Sequence, residues 1–135
     1  MAVTTVSLEV DGLEARECLY VHYQFTQQVD VEGQPTGTTR GGVITVKVKS
    51  TDGGNTELLD WTCASYESKN GKIKYPNKIG GTMKTIQFTD AYAVGYEEVF
   101  DGSDNNLMYE VITITARQIT VNGKGSVQYD NHWAL

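Results

Sequence analysis

Apolar side chains recur at every second position along much of this chain. Ile86, Phe88, Tyr92, Val94, Tyr96 and Phe100 all occupy even positions, interrupted by Asp90 and Glu98. Ile44, Val46 and Val48 alternate with Thr45, Lys47 and Lys49, and Leu19, Val21, Tyr23 and Phe25 alternate with Tyr20, His22, Gln24 and Thr26. Successive side chains of a strand point to opposite faces, so this period is the mark of strands with one buried side. The chain must fold mainly as sheet.

Between the strands lie strong breakers. Val6, Leu8 and Val10 alternate up to Asp11-Gly12, a tight turn that predicts a hairpin with the arm carrying Leu19 to Phe25. Asn55 to Tyr66 reads as the one helix: Asn55 caps it, Glu57 and Asp60 suit its positive end, and Leu59, Cys63 and Tyr66 form its buried stripe. Asn70-Gly71 is the expected left-handed exit, followed by a short strand, Lys72 to Tyr75, that Pro76 ends. From Leu107 to Val121 the apolar set changes phase, from Met108, Ile112 and Ile114 to Ile119 and Val121, which predicts a bulge or a strand that bends from one sheet to another. The last fourteen residues are polar and glycine-containing up to His132-Trp133-Ala134-Leu135. Long antiparallel strands with one flanking helix imply a closed or nearly closed barrel, or a two-sheet sandwich.

Length and charge narrow the partners. At 135 residues with no compositional break, the chain is read as one domain over 1–135, large enough to bury a core without metal or disulfide staples. The net charge of −6 is interspersed, so no basic stripe attracts a phosphate backbone and nucleic acid is excluded as a partner. The first residues show neither a basic nor an unbroken apolar region of a leader peptide, and no apolar run approaches the ~18 residues that span a bilayer. A soluble cytoplasmic protein without membrane insertion is expected. Cys18 and Cys63 are read as two free, buried thiols, with a single disulfide as the other option.

The residues that carry chemistry are sparse. Neither His22 nor His132 has a second ligand at metal spacing, so no zinc site is expected. Asp101 to Asn106 opens like a calcium loop, but the sixth position is not glycine and the twelfth is Ile112 instead of glutamate, so it is read as a hairpin connection. No nucleophile elbow or phosphate-cradling loop is present, and Glu97 and Glu98, as strand neighbours, point to opposite faces. No catalytic, cofactor or metal residue is assigned, and the expected role is not enzymatic. Trp61 and Trp133 suit packing better than ligand stacking.

The order of short segments along nearly the whole chain resembles the Hcp, or TssD, family that forms the tube of bacterial type VI secretion systems, in its shorter variety. The segments are Val10-Asp11-Gly12, Tyr23-x-Phe25, Asp30-x-x-Gly33-x-Pro35, Gly41-Gly42-x-Ile44, Ser50-Thr51, Leu58-Leu59-x-Trp61, Phe88-x-Asp90-Ala91-Tyr92, Tyr96-x-Glu98-x-Phe100-Asp101, Asn105-Asn106-x-Met108, Ile114-x-Ala116 and Asn131-His132-Trp133. Each is a turn or strand edge, and their succession is what is specific. Leu107 stands where the family pattern has proline, and Ala134-Leu135 where many members have proline after the tryptophan.

The resemblance implies an antiparallel β-barrel with one flanking helix, six subunits in a ring and rings stacked into a hollow tube. It also implies a contractile sheath, the spike protein VgrG and secreted effectors as partners, no cofactor, and assembly in the cytoplasm followed by export without a signal peptide. On that reading the glycine-rich run from Val29 to Gly42 is an assembly arm, with Asp30, Gly33, Pro35, Gly37, Arg40, Gly41 and Gly42 as its working residues. Its glycines allow positive φ and close backbone approach, and Arg40 can pair with a carboxylate across an interface. The outer strand face of Tyr20, His22, Gln24 and Thr26 is expected at an interface or on the lumen. Two other readings are a tube protein of another phage-tail-like contractile device and a monomeric barrel holding a small apolar ligand.

Overall fold

The computed structural model describes residues 5–51, 53–77, 79, 81–103, 107–131 and 133. In chain order these form β1 (Ser7–Val10), β2 (Arg16–Tyr23), β3 (Val43–Lys49), α1 (Glu57–Cys63), β4 (Lys69–Pro76), β5 (Thr82–Asp101), β6 (Leu107–Asn122) and β7 (Ser126–Asp130). All pairings are antiparallel, in the order β3-β2-β1-β4-β5-β6-β7, and β3 also pairs with β6. That last pairing, from Val43 opposite Thr115 to Lys49 opposite Tyr109, closes six strands into a barrel and so removes its edges. The seventh strand lies outside the closure. It pairs with the second half of β6, Gln118 to Asn122, on the flank where β3 has ended.

The interior is filled by side chains. Leu8, Ile44, Val46, Val48, Ile73, Ile86, Phe88, Ile112, Ile114 and Ile119 are buried there, and α1 lays Leu58 and Trp61 against the same core. Each such side chain stabilises the fold by roughly 1.5–3 kcal/mol. Among them sits one buried ion pair, Arg16 with Glu110, whose other oxygen accepts the Tyr96 hydroxyl at 2.6 Å. Arg16 also donates to the Lys49 carbonyl at 2.9 Å.

Irregular points in the strands alter several expected faces. A register shift between Cys18 and Tyr20 turns Leu19 out to solvent, so Cys18, Val21 and Tyr23 face inward instead of a continuous odd-numbered set from Leu19. On β5, Asp90 adopts φ +51° opposite Arg117 of β6, and both strands change phase there: Phe88 with Ile119 and Ala91 with Ala116 are the inward pairs on either side. Ala91 and Ala93 face inward and leave Val94 exposed, a second shift between Ala93 and Gly95 returns Tyr96 to the inner face opposite Ile112, and Phe100, near the strand end, is exposed against the even-numbered reading of that strand. The predicted bend of β6 is this Arg117 turning point.

The helix is shorter than its periodicity predicts and buries another stripe. It buries Leu58 and Trp61, whereas Leu59, Cys63 and Tyr66 are exposed, because the Trp61 indole N–H donates to the Glu67 carbonyl and pins that face inward. Thr56 occupies the cap position, and Asn55 Oδ1 accepts the Glu57 amide at 2.7 Å from one residue further out. Tyr66, with φ +67°, makes the left-handed exit, while Asn70-Gly71 belongs to β4. Gly71 admits the Phe88 ring, 2.6 Å from where a Cβ would sit. Cys18 and Cys63 are both free, with Cys18 half-buried and Cys63 exposed rather than buried. The β1–β2 connection takes five residues, 11–15, instead of a two-residue turn, although Gly12 does adopt φ +81°. His132, Ala134, Leu135 and the 104–106 part of the proposed hairpin connection lie outside the described residues.

Candidate assembly site

The run between β2 and β3 is a narrow two-legged arm. The Thr26 and Arg40 backbones exchange hydrogen bonds of 2.8 and 2.7 Å, the Thr36 amide donates to Gln28 O at 2.8 Å, and Val29 bridges Pro35. Asp30 closes the tip: its amide donates to Gln34 O, and its Oδ1 accepts the amides of Glu32 at 2.9 Å and Gln34 at 3.0 Å. An aspartate side chain that mimics a backbone turn stiffens such a loop. Gly33 follows with φ +85°. Residues 27–40 are exposed throughout, and the Val31 side chain meets nothing but solvent.

The root of the arm is built quite differently. The Gly41 amide donates to the Tyr129 hydroxyl at 3.0 Å, and that hydroxyl donates to Asn131 Oδ1 at 2.9 Å. Asn131 Nδ2 donates to Ala116 O at 2.7 Å, and the Ala116 amide donates to Gly42 O at 2.8 Å. These bonds form a closed cycle that ties the arm to β6 and β7 where β3 gives way to β7. Phe25 packs on Tyr129 with ring centres 4.9 Å apart, and Tyr23 meets Phe25 edge-on. Both glycines are required by this crowding: a Cβ on Gly41 would overlap the Phe25 ring, and one on Gly42, at φ +99°, would overlap the Asn131 amide. Gly37 has neither positive φ nor a close neighbour.

The structure divides the outer-face residues into two groups. Tyr20 and His22 stack on β2, ring centres 6.4 Å apart and 3° from parallel, beside Lys47, whose ammonium lies 3.9 Å over the Tyr109 ring. Gln24 and Thr26 belong to the arm base. The Arg40 side chain is exposed, while its backbone serves the arm ladder.

Sequence reasoning missed β7, Tyr129 and the Arg16–Glu110–Tyr96 group. Glu110 has the same parity as Ile112, Ile114 and Ala116, and a carboxylate in an apolar register demands a partner. Val127 and Tyr129 alternate just beyond Gly123 and Gly125, the turn glycines of the β6–β7 hairpin.

Beside the arm root runs a surface groove lined by Tyr66, Tyr92, Val94, Arg117 and Trp133. The Tyr92 and Trp133 rings are 5.8 Å apart, and the Arg117 guanidinium lies 5.3 Å over Trp133 with its Nε 3.6 Å from Asp90. No helix among the described residues is long and apolar enough to cross a membrane.

A family model described as hemolysin coregulated protein Hcp (TssD) matches residues 2–134. Hcp1 from Flavobacterium johnsoniae is 38% identical, with a TM-score of 0.85 over 94% of this chain and 99% of that one. A type VI secretion system effector from Yersinia pestis is 15% identical, with a TM-score of 0.74 over 93% of this chain and 99% of that one. Secreted protein Hcp3 from Pseudomonas aeruginosa is 14% identical, with a TM-score of 0.65 over 97% and 100%. The latter two likenesses are of fold. Comparison with curated protein sequences returns no match.

Proposed function

Because the chain belongs to the Hcp (TssD) family of type VI secretion tube proteins, we propose that it is a structural subunit, one domain over 1–135, of a hexameric ring that stacks into a hollow tube. The observation that carries this reading is the arm. A segment whose root is held by a closed cycle of hydrogen bonds, yet whose tip exposes Val29 and Val31, is pre-organised to contact something outside its own barrel. A rigid arm loses little entropy on docking, which suits assembly from identical parts.

Within such a tube the Tyr20/His22/Lys47/Tyr109 face is an inter-subunit or lumen surface, and the sheath, a VgrG spike and exported effectors are the partners. The role is mechanical rather than catalytic. The subunit assembles in the cytoplasm and leaves with the tube. A monomeric ligand-binding barrel needs interior space, and here Ile44, Val46, Val48, Ile73, Ile86, Ile112 and Ile114 occupy it with no exposure. Another contractile device would use the same architecture, and the identity of neighbouring genes distinguishes it.

Light scattering behind a sizing column, with electron microscopy of the same peak, tests the proposal. Six times 14.9 kDa with ring-shaped particles is the expected result. A monomer over a wide concentration range would overturn it.

A further inference from the structure

We propose that the arm tip, Val29 to Glu32, seats in the Tyr66/Tyr92/Trp133 groove of a second copy of this chain. This rests on the tube reading and names the surface through which copies meet.

The tip combines two exposed valines with two carboxylates, Asp30 and Glu32. Its receptor must therefore be apolar in part and free of negative charge. Among the surface grooves on the described residues, one is lined by Glu9 and Asp11, one by Glu98 and Glu110, and one by Glu57, Asp60 and Glu67, and none of these suits an acidic tip. Another, of about 760 Å³, has no carboxylate in its lining; it has Arg117, two tyrosines, Val94 and Trp133. Asp90 engages Arg117 through Nε, and the guanidinium fork carries further donors for an acidic tip.

The groove also exposes what a free protomer has no reason to expose. Tyr66 holds a left-handed backbone and is 93% exposed, and Val94 is 58% exposed. Its own arm cannot fill the groove. Arg117 follows Ala116, and Trp133 lies two residues beyond Asn131, so the groove adjoins the arm root. The laddered arm holds its tip on the order of 20 Å from that root, at ~3.3 Å per residue. The occupant is therefore another copy, approaching with its tip.

The test places cysteines at both ends. In a Cys63→Ser background, which removes the exposed thiol, Val31→Cys and Val94→Cys are combined, and assembled protein is treated with a short bismaleimide crosslinker. Covalent dimers and longer ladders are expected from the double variant and not from either single one. Normal tubes with no crosslink would overturn the docking while leaving the tube reading intact; a parent chain that never associates would overturn both. Val31→Asp is the second measurement, since that side chain touches nothing in the protomer and folding is unaffected. It should raise the concentration needed for association at least tenfold, and unchanged association overturns the proposal.

Discussion

Arg16 and Glu110, 94 residues apart in the chain, meet as an ion pair inside the barrel, each with no more than 3% of its side chain exposed. The pair joins the start of β2 to β6, two strands that lie on either side of β3, and Tyr96 from β5 donates its hydroxyl to the same carboxylate. Removing one charge strands the other in the core. Arg16→Met alone should cost about 3–5 kcal/mol. Replacing all three as Arg16→Met, Glu110→Leu and Tyr96→Phe should recover most of that loss, and urea denaturation of both variants measures the difference.

The arm root and the arm's returning leg should respond unequally to an added methyl group. Gly42→Ala forces a side chain into a left-handed backbone against Asn131 and the Ala116 carbonyl, 3.1 Å away, and should destabilise by about 1–3 kcal/mol. Gly37→Ala meets only ordinary contacts and should stay within about 0.5 kcal/mol of the parent. Thermal unfolding of the two variants side by side checks the contrast.

Deleting Gly37 to Arg40 removes one leg of the exposed arm while leaving every core residue in place. The variant should keep the far-ultraviolet spectrum and cooperative unfolding of the parent and lose tube formation. Tubes of normal length in electron micrographs would show that the arm is dispensable.

The two thiols should differ in reactivity. Burial, with a smaller contribution from Glu17, pushes the Cys18 thiol from 9.0 up to about 12, whereas Cys63 is exposed. One thiol per native chain should react rapidly with a disulfide reagent near neutral pH, and unfolding should release the second. Alkylation followed by mass mapping identifies which is which.

Burial also raises Tyr75, from 10.0 to about 12, with Tyr23 and Cys18 adding to the effect. Both groups hold their protons in the fold at pH values where the unfolded chain has lost them. Their stabilising contribution is therefore complete below about pH 9, and it declines as pH rises towards 12. Denaturant midpoints measured from pH 8 to 11 should fall, and Cys18→Ala should flatten part of that fall.

The strand content, the inward faces of β3 and of the first half of β5, and the phase change in β6 were legible in the sequence. Each is a local matter of period-2 alternation, which the chain writes out residue by residue. The resemblance carried by Gly41-Gly42, Asn131 and their neighbours likewise pointed to the barrel and its family. Segments 90 residues apart, Gly41-Gly42 and Asn131, are one hydrogen-bonded unit only after folding.

What only the tertiary structure decided was where alternation slips and what meets across the barrel. The shift between Cys18 and Tyr20 turns Leu19 outward, Asp90 flips β5 at the level where β6 changes phase, and Trp61 rather than Leu59 chooses the buried face of the helix. None of these has a period to read. A bulge depends on the partner strand it must match, and a seven-residue helix faces whichever way its largest ring finds a socket and a carbonyl. Arg16 and Glu110 follow the same logic: a charge can be buried only where its partner arrives, and that depends on closure of the sheet.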